Sequence, residues 1–180
     1  MLFCIIPLKA QVGEFIDIRD GNKYPTEVIG GKTWMLRNFD YKVANSYGYE
    51  NRGLNYSGYG RLYTYEAALN CVPPGWHLPS KEEFEALLTA LGQKPDRDGW
   101  YNQSTVTMLK SNAFYMLLAG YSSLDDKGKR VYYEVDEFGR YWTSSAANDF
   151  NSWRFIISPK NARFDDAKKE ICFSIRLVKD

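Results

Sequence analysis

The clearest periodic stretch begins at Ser80. Glu83 follows it three residues later, the spacing of a capping box, and Phe84, Leu87, Leu88 and Leu91 then recur at i, i+3, i+4 and i+7. That spacing predicts a helix with one apolar stripe, ended by Gly92. A shorter helix is predicted just before it. Thr64 can cap it, Glu66 suits its first turn, and Tyr65, Ala68 and Leu69 share one face. Pro73 and Pro74 forbid its continuation. A third, short helix is predicted from Ser104 to Lys110.

Elsewhere the period falls to two. "EFIDIRDGNKY" places Asp20-Gly21 between two strand-like runs, and "EVIGGKTWML" places Gly30-Gly31 between Glu27–Ile29 and Lys32–Leu36. Both read as hairpins. In the run after Gly31, Thr33, Met35 and Arg37 alternate with Trp34, Leu36 and Asn38, and the more apolar set is expected to face inward. "AFYMLLAGY", "RYWTSSA", "SWRFIIS" and "ICFSIRLV" have strand length and strand-forming side chains. Pro159-Lys160-Asn161 and Asp165-Asp166 read as turns between them. The order is strands, then helices, then strands, so the expected class is α+β with helices set on an antiparallel sheet.

Between Tyr41 and Gly60 the periodicity vanishes into a mixture of Tyr, Asn, Gly and Ser. Its composition suits a recognition loop, where tyrosine gives large contact area at small entropic cost. The alternative is that Tyr47, Tyr49, Tyr56 and Tyr59 pack the loop onto the core.

Composition narrows the classes. With 180 residues there is room for one domain with a sizeable core. Lysine and arginine total 23 against 22 acidic residues, which gives no electrostatic footprint for nucleic acid. No run reaches the apolar length of a membrane span.

Residues 1–10, "MLFCIIPLKA", read as the tail of a secretory signal peptide cleaved after Ala10, with an apolar first strand as the alternative. The expected domain is then 11–180, and its address secreted or cell envelope. Cys4 leaves with the signal segment. Cys71 and Cys172 remain, and an exported protein can join such a pair. Closing a loop of about 100 residues contributes on the order of 4 kcal/mol in the chain-entropy model. Two buried free thiols are the competing reading.

His77, the one histidine, stands in the turn "PPGWHLPS" between the two main helices. No second histidine or nearby cysteine offers metal-site spacing, so a structural hydrogen-bonding role is expected. No metal ligands and no cofactor are assigned.

Several of these stretches together resemble a known family. "FIDIRDGNKYPTEVIGGKTWMLRNFDY", "YGRLYTYEAALNCVPPGWHLPSKEEFEALL", "LLAGYSS", "YWTSS" and "FSIRLVKD" look like the consecutive motifs of the Fibrobacter succinogenes major paralogous domain family, over about residues 15 to 180. The resemblance implies a C-type-lectin-like fold related to the formylglycine-generating-enzyme group. It also implies carriage on exported proteins of Bacteroidetes and Fibrobacter relatives. In lectin-like domains a cysteine ending the first helix pairs with one near the last strand, and Cys71 and Cys172 fall in those places. Val72 separates Cys71 from the prolines that usually follow directly, and Leu177 stands where the closing motif usually has its cysteine.

The tripeptides of calcium-dependent sugar binding are missing. Asn148, Asp149 and Asn151 near Trp153 form only a thin oxygen set. No phosphate loop, dinucleotide fingerprint or nucleophile elbow occurs. What remains is aromatic loop surface. The expected ligand-contacting residues are Tyr47, Tyr49, Trp100, Tyr101, Tyr121, Tyr133, Asn148 and Trp153, while Trp76 and Trp142 belong to the core. The expected function is a non-enzymatic surface or secreted binding module for glycan or protein. An enzyme of the formylglycine-generating type, an unrecognised hydrolase and a structural adhesion unit are the alternatives.

Overall fold

In the computed structural model, residues 13–49, 58–111 and 114–180 are described. The expected signal segment at 1–10, with Cys4, and Tyr56 lie outside them. Twelve strands and three helices are found among these residues.

The N-terminal hairpins form as the glycine turns require. β1 (Gly13–Ile16) pairs antiparallel with β2 (Lys23–Ile29), and β2 with β3 (Lys32–Met35). Gly30 and Gly31 make the second turn with φ of 60° and 81°, the region that glycine enters without steric cost. The first connection is longer than a two-residue turn. It runs from Asp17 to Asn22, closed by Asp17 N–H donating to the Asn22 carbonyl at 2.9 Å.

Next come a short pair, β4 (Ser46–Tyr47) and β5 (Leu62–Tyr63), then α1 (Tyr65–Asn70) capped by Thr64. β6 (Trp76–His77) precedes α2 (Lys81–Ala90), where Ser80 and Glu83 complete the reciprocal capping box. α3 (Gln103–Lys110) is capped by the Asn102 side chain, one residue ahead of the expected start. The C-terminal half holds the hairpin β7 (Tyr121–Leu124) and β8 (Arg130–Tyr133), then β9 (Gly139–Ala146), β10 (Asn151–Ile157), β11 (Ala162–Lys168) and β12 (Val178–Lys179).

Two sheets dominate, ordered β1-β2-β3-β12-β6 and β11-β10-β9. β3 is a central strand of the first, covered on both faces. Trp34 packs edge-on against Phe84 of α2 with ring centroids 5.4 Å apart, and belongs to a core beneath α2, α3 and the three-stranded sheet. Met35 looks the other way, into a second core with Tyr63, Ala68, Trp76, Trp142 and Phe173. The expected single inward face is therefore corrected to two buried faces, and both Trp76 and Trp142 are core residues. Burying each such side chain stabilises by about 1.5–3 kcal/mol.

Three strand expectations change. The run 171–178 is a strand only at its end. Before that it exchanges partners almost residue by residue. Cys172 bridges Ser122, Phe173 bridges Tyr63 and Ser174 bridges Tyr141, while Val178 pairs with both Trp34 and His77. This strip touches all four sheets. Residues 114–120 form an irregular segment, largely buried but exposed at Tyr115. Several of its carbonyls go to side chains: those of Leu117 and Ala119 to Tyr141 and Tyr49, and the first two to the buried Arg176. Arg176 donates to the carbonyls of Phe114 at 2.7 Å, Tyr115 at 3.0 Å and Met35 at 3.2 Å, and to Asn38 Oδ1 at 2.9 Å. Asp165 and Asp166 stand in β11 opposite Arg154 and Trp153, rather than in a turn.

The expected Cys71–Cys172 bridge is also corrected. Both cysteines are free and buried. Cys71 ends α1 in the second core, beside which Leu177 also lies, whereas Cys172 belongs to a small separate cluster with Tyr49 and Leu62. The pairing of Phe173 with Tyr63 and the Tyr65 N–H bond to the Lys169 carbonyl set Cys172 near the start of α1. A helix of this length, at 1.5 Å per residue, separates its two ends by about 9 Å, beyond the reach of a disulfide.

Candidate functional site

A repeated dipeptide builds the site. Arg140-Tyr141 lies on β9, Arg154-Phe155 on β10 and Arg163-Phe164 on β11. Successive side chains on a strand face opposite ways. Tyr141, Phe155 and Phe164 go into the core beneath α2. The three arginines go to the other face, where the register sets Arg140 and Arg163 each opposite Ile156, and Arg154 opposite Asp165.

The far half of that face is closed by Tyr65 and Phe173 packing on Trp142, at ring separations of 5.5 and 4.5 Å. The near half is an open hollow of about 280 Å³, lined by Trp100, Phe138, Arg140, Arg154, Arg163 and Asp165 among others. Each guanidinium lies over an aromatic ring. Arg163 is 4.5 Å from the Trp100 centroid, Arg154 is 4.8 Å from Phe173, and Arg140 is 4.8 Å from Tyr121 and 5.0 Å from Phe138. Each such contact attracts the cation to the ring face, by about 0.5–2 kcal/mol according to how far it is desolvated.

Two carboxylates answer the three cations. Glu134 pairs with Arg140. Asp165 lies 3.2 Å from Arg163 and 3.6 Å from Arg154. Among the described residues one positive charge is left over. Burial, then the neighbouring charge of Arg140, lowers the pKa of Arg154. The Nε atoms of Arg140 and Arg154 are buried and have no hydrogen-bond partner among the described residues, a costly state for a charged donor.

The loop from β8 to β9 shapes one wall. Glu134 and Asp136 have left-handed backbones, with φ of 55° and 69°, uncommon for side chains other than glycine. Tyr133 stacks on Tyr121 at 5.0 Å. Burial foremost, then the charge of Glu134, raises the pKa of Tyr121.

Of the residues expected from sequence, Trp100 lines this hollow, Tyr121 lies under the Arg140 guanidinium that also lines it, and Tyr133 reaches it only through its stack on Tyr121. The others are dispersed. Tyr101 is buried, bridges Ala162 and packs edge-on to Phe155. Tyr49 is buried against Tyr132 and donates to the Ala119 carbonyl. Tyr47 lies beneath the Arg130 guanidinium at 4.0 Å. Trp153 lies under the Lys81 ammonium at 5.5 Å. Asn148 spends its side-chain oxygen on the N–H groups of Phe150 and Asn151, which shapes a turn. The ammonium of Lys169 takes the carbonyls of Asn148 and Asp149, both at 3.0 Å. Among the described residues no three His, Cys, Asp or Glu side chains gather as a metal site.

The site residues not foreseen are Glu134, Phe138, Arg140, Arg154, Arg163 and Asp165. The signal for the arginines was present: three Arg-aromatic dipeptides, one per strand. His77 makes structural bonds, with Nδ1 2.6 Å from Asp180 and Nε2 3.1 Å from both Glu83 oxygens. Burial pushes the Cys71 thiol up to about 12 and raises that of Cys172 as well, so neither is poised as a nucleophile.

These features define an α+β domain with a compact cationic and aromatic pocket on one sheet face. Residues 28–179 match the family described as the Fibrobacter succinogenes major domain, and the chain belongs to that family. No curated protein and no solved structure matches it. No helix among the described residues is long and apolar enough to cross a membrane.

Proposed function

We propose that the chain is an exported, non-catalytic binding module of C-type-lectin-like fold, and that it recognises a glycan or protein through the arginine and aromatic hollow. The observation that carries this reading is the convergence of Arg140, Arg154 and Arg163 from three adjacent strands, each laid over a ring. Fixed donors in a concave, ring-walled site are the ordinary make-up of a ligand pocket. The return of the closing strip beside β3 and β6 supports the lectin-like reading, since it brings the first and last parts of the domain together.

The test is a glycan array combined with binding to envelope fractions, comparing the wild-type chain with an Arg154→Gln/Arg163→Gln variant whose fold is checked by circular dichroism. Binding that is lost in the variant is expected. Absence of any binding, equal binding by the variant, or conversion of the bound ligand to product would sink the reading.

A further inference from the structure

We infer that the hollow between Trp100 and Phe138 takes a single sugar unit bearing one carboxylate, so that its ligand is a uronic-acid glycan. The inference rests on the binding-module reading and narrows it.

Four observations lead there. First, among the described residues Glu134 and Asp165 pair with the three guanidinium groups and leave one positive charge over. A monoanion balances that charge. A phosphate monoester, with about −1.5 to −2 charges at neutral pH, overshoots it. Second, Arg140 and Arg154 line the hollow, Arg140 is only 9% exposed, and among the described residues neither Nε has an acceptor. A planar carboxylate matches the guanidinium fork bidentately. Third, the volume of about 280 Å³ lies just below the range of about 300–1,000 Å³ for small-ligand pockets, and suits one ring rather than a chain of several.

The fourth observation favours a sugar over an acidic peptide side chain. Ser158 and Asn161 both line the same hollow, and the Ser158 hydroxyl, shared between the Asn161 carbonyl at 3.0 Å and its Oδ1 at 2.9 Å, holds that amide in place as a polar group of the wall. Trp100 supplies a ring plane beside it. A hydroxylated ring offers a polar edge and an apolar face to these groups. An aspartate or glutamate side chain fills only the guanidinium end.

The test titrates the full chain with oligomers of galacturonate, glucuronate and mannuronate, with their methyl esters, and with oligoglutamate. Calorimetry gives Kd, and the indole resonance of Trp100 reports occupancy of the site. At least one uronate is expected to bind and to shift Trp100. Its ester should bind at least about tenfold more weakly, since the ester loses a charge-assisted pair, and affinity should fall as salt rises. Arg163→Gln, whose side chain is half-exposed and whose loss leaves the core intact, should weaken uronate binding with the fold preserved.

Equal binding of ester and acid overturns the uronate inference and leaves the binding module standing. Tighter binding of oligoglutamate overturns it in favour of a protein ligand. Failure of all three uronates, with a positive array elsewhere, also overturns it. Failure of both the uronates and the array removes the two readings together.

Discussion

The guanidinium of Arg19 donates to the carbonyl oxygen of Cys71 at 2.9 Å. Position 71 therefore joins the domain together through its backbone, not its sulfur. Asp17 grips the same guanidinium through two bonds, at 2.9 and 2.7 Å, and Tyr41 lies under it at 3.9 Å. A cation at a helix C-terminus satisfies a carbonyl that the helix itself leaves open. Arg19→Ala also strands the buried Asp17 carboxylate. The expected loss is about 2 kcal/mol, read from the urea midpoint.

Acid should weaken the fold through two carboxylates. The side-chain bonds from Arg19 hold Asp17 below its ordinary 3.8. Burial opposes ionisation of Glu83, yet the Lys32 ammonium, the Ser80 N–H and His77 together hold it below 4.5. Both folded values are depressed, so this stabilisation is complete above the unfolded values and is lost as pH falls through the folded ones. Urea midpoints should stay level above pH 4.5 and drop steadily below it. Asp17→Asn with Glu83→Gln should lower the plateau and flatten that drop. An equally steep acid limb in the double variant would refute the assignment.

The two thiols should behave as buried and unlinked. Without reductant, the folded chain should resist alkylation at Cys71 and Cys172, and the unfolded chain should take label at both. A disulfide-linked peptide spanning 71 and 172 would contradict the separation set by α1.

Arg176 is fully buried and holds two segments of different sheets and loops at once. Burial lowers its pKa to about 10, with Tyr141 opposing that fall. Its carbonyl acceptors cannot all find water if it is removed. Arg176→Met is expected to cost about 3–5 kcal/mol in chemical unfolding. A change below about 1 kcal/mol would show that the four bonds are not collectively important.

Gly120 joins the fold to the site. A Cβ there would lie 2.1 Å from the Tyr133 carbonyl, on a backbone with φ of 64°. Gly120→Ala must therefore push Tyr133 and Glu134 away from Arg140. Ligand affinity should fall about tenfold or more, and the melting temperature should drop further than in Gly128→Ala, where nothing lies near and only the backbone strain is added. Equal effects of the two would show that displacement of Tyr133 is immaterial.

Local features were legible in the sequence because their causes are local. The Ser80–Glu83 box, the Gly30-Gly31 turn and the Thr64 cap each depend on residues a few positions apart. β11 was missed because Asp165-Asp166 resembles a turn until Arg154 is known to lie opposite. The strip from Cys172 to Ser174 was misread because its three bridges go to three different sheets, and no period along one segment records that. For the site, the tyrosine-rich loop drew attention by composition, while Arg140, Arg154 and Arg163 carry no signal in composition or in any single segment. Only the register of three strands shows that they share a face.

The insertion of Val178 between Trp34 and His77 has a temporal side. During synthesis the hairpin of β1 to β3 emerges early, and its inner edge stays without a neighbour until nearly 150 further residues have been made. An open edge of that kind invites pairing with other chains, and closing it last implies slow maturation dominated by distant contacts. Nascent chains stalled before residue 178 should thus be the form most prone to clump.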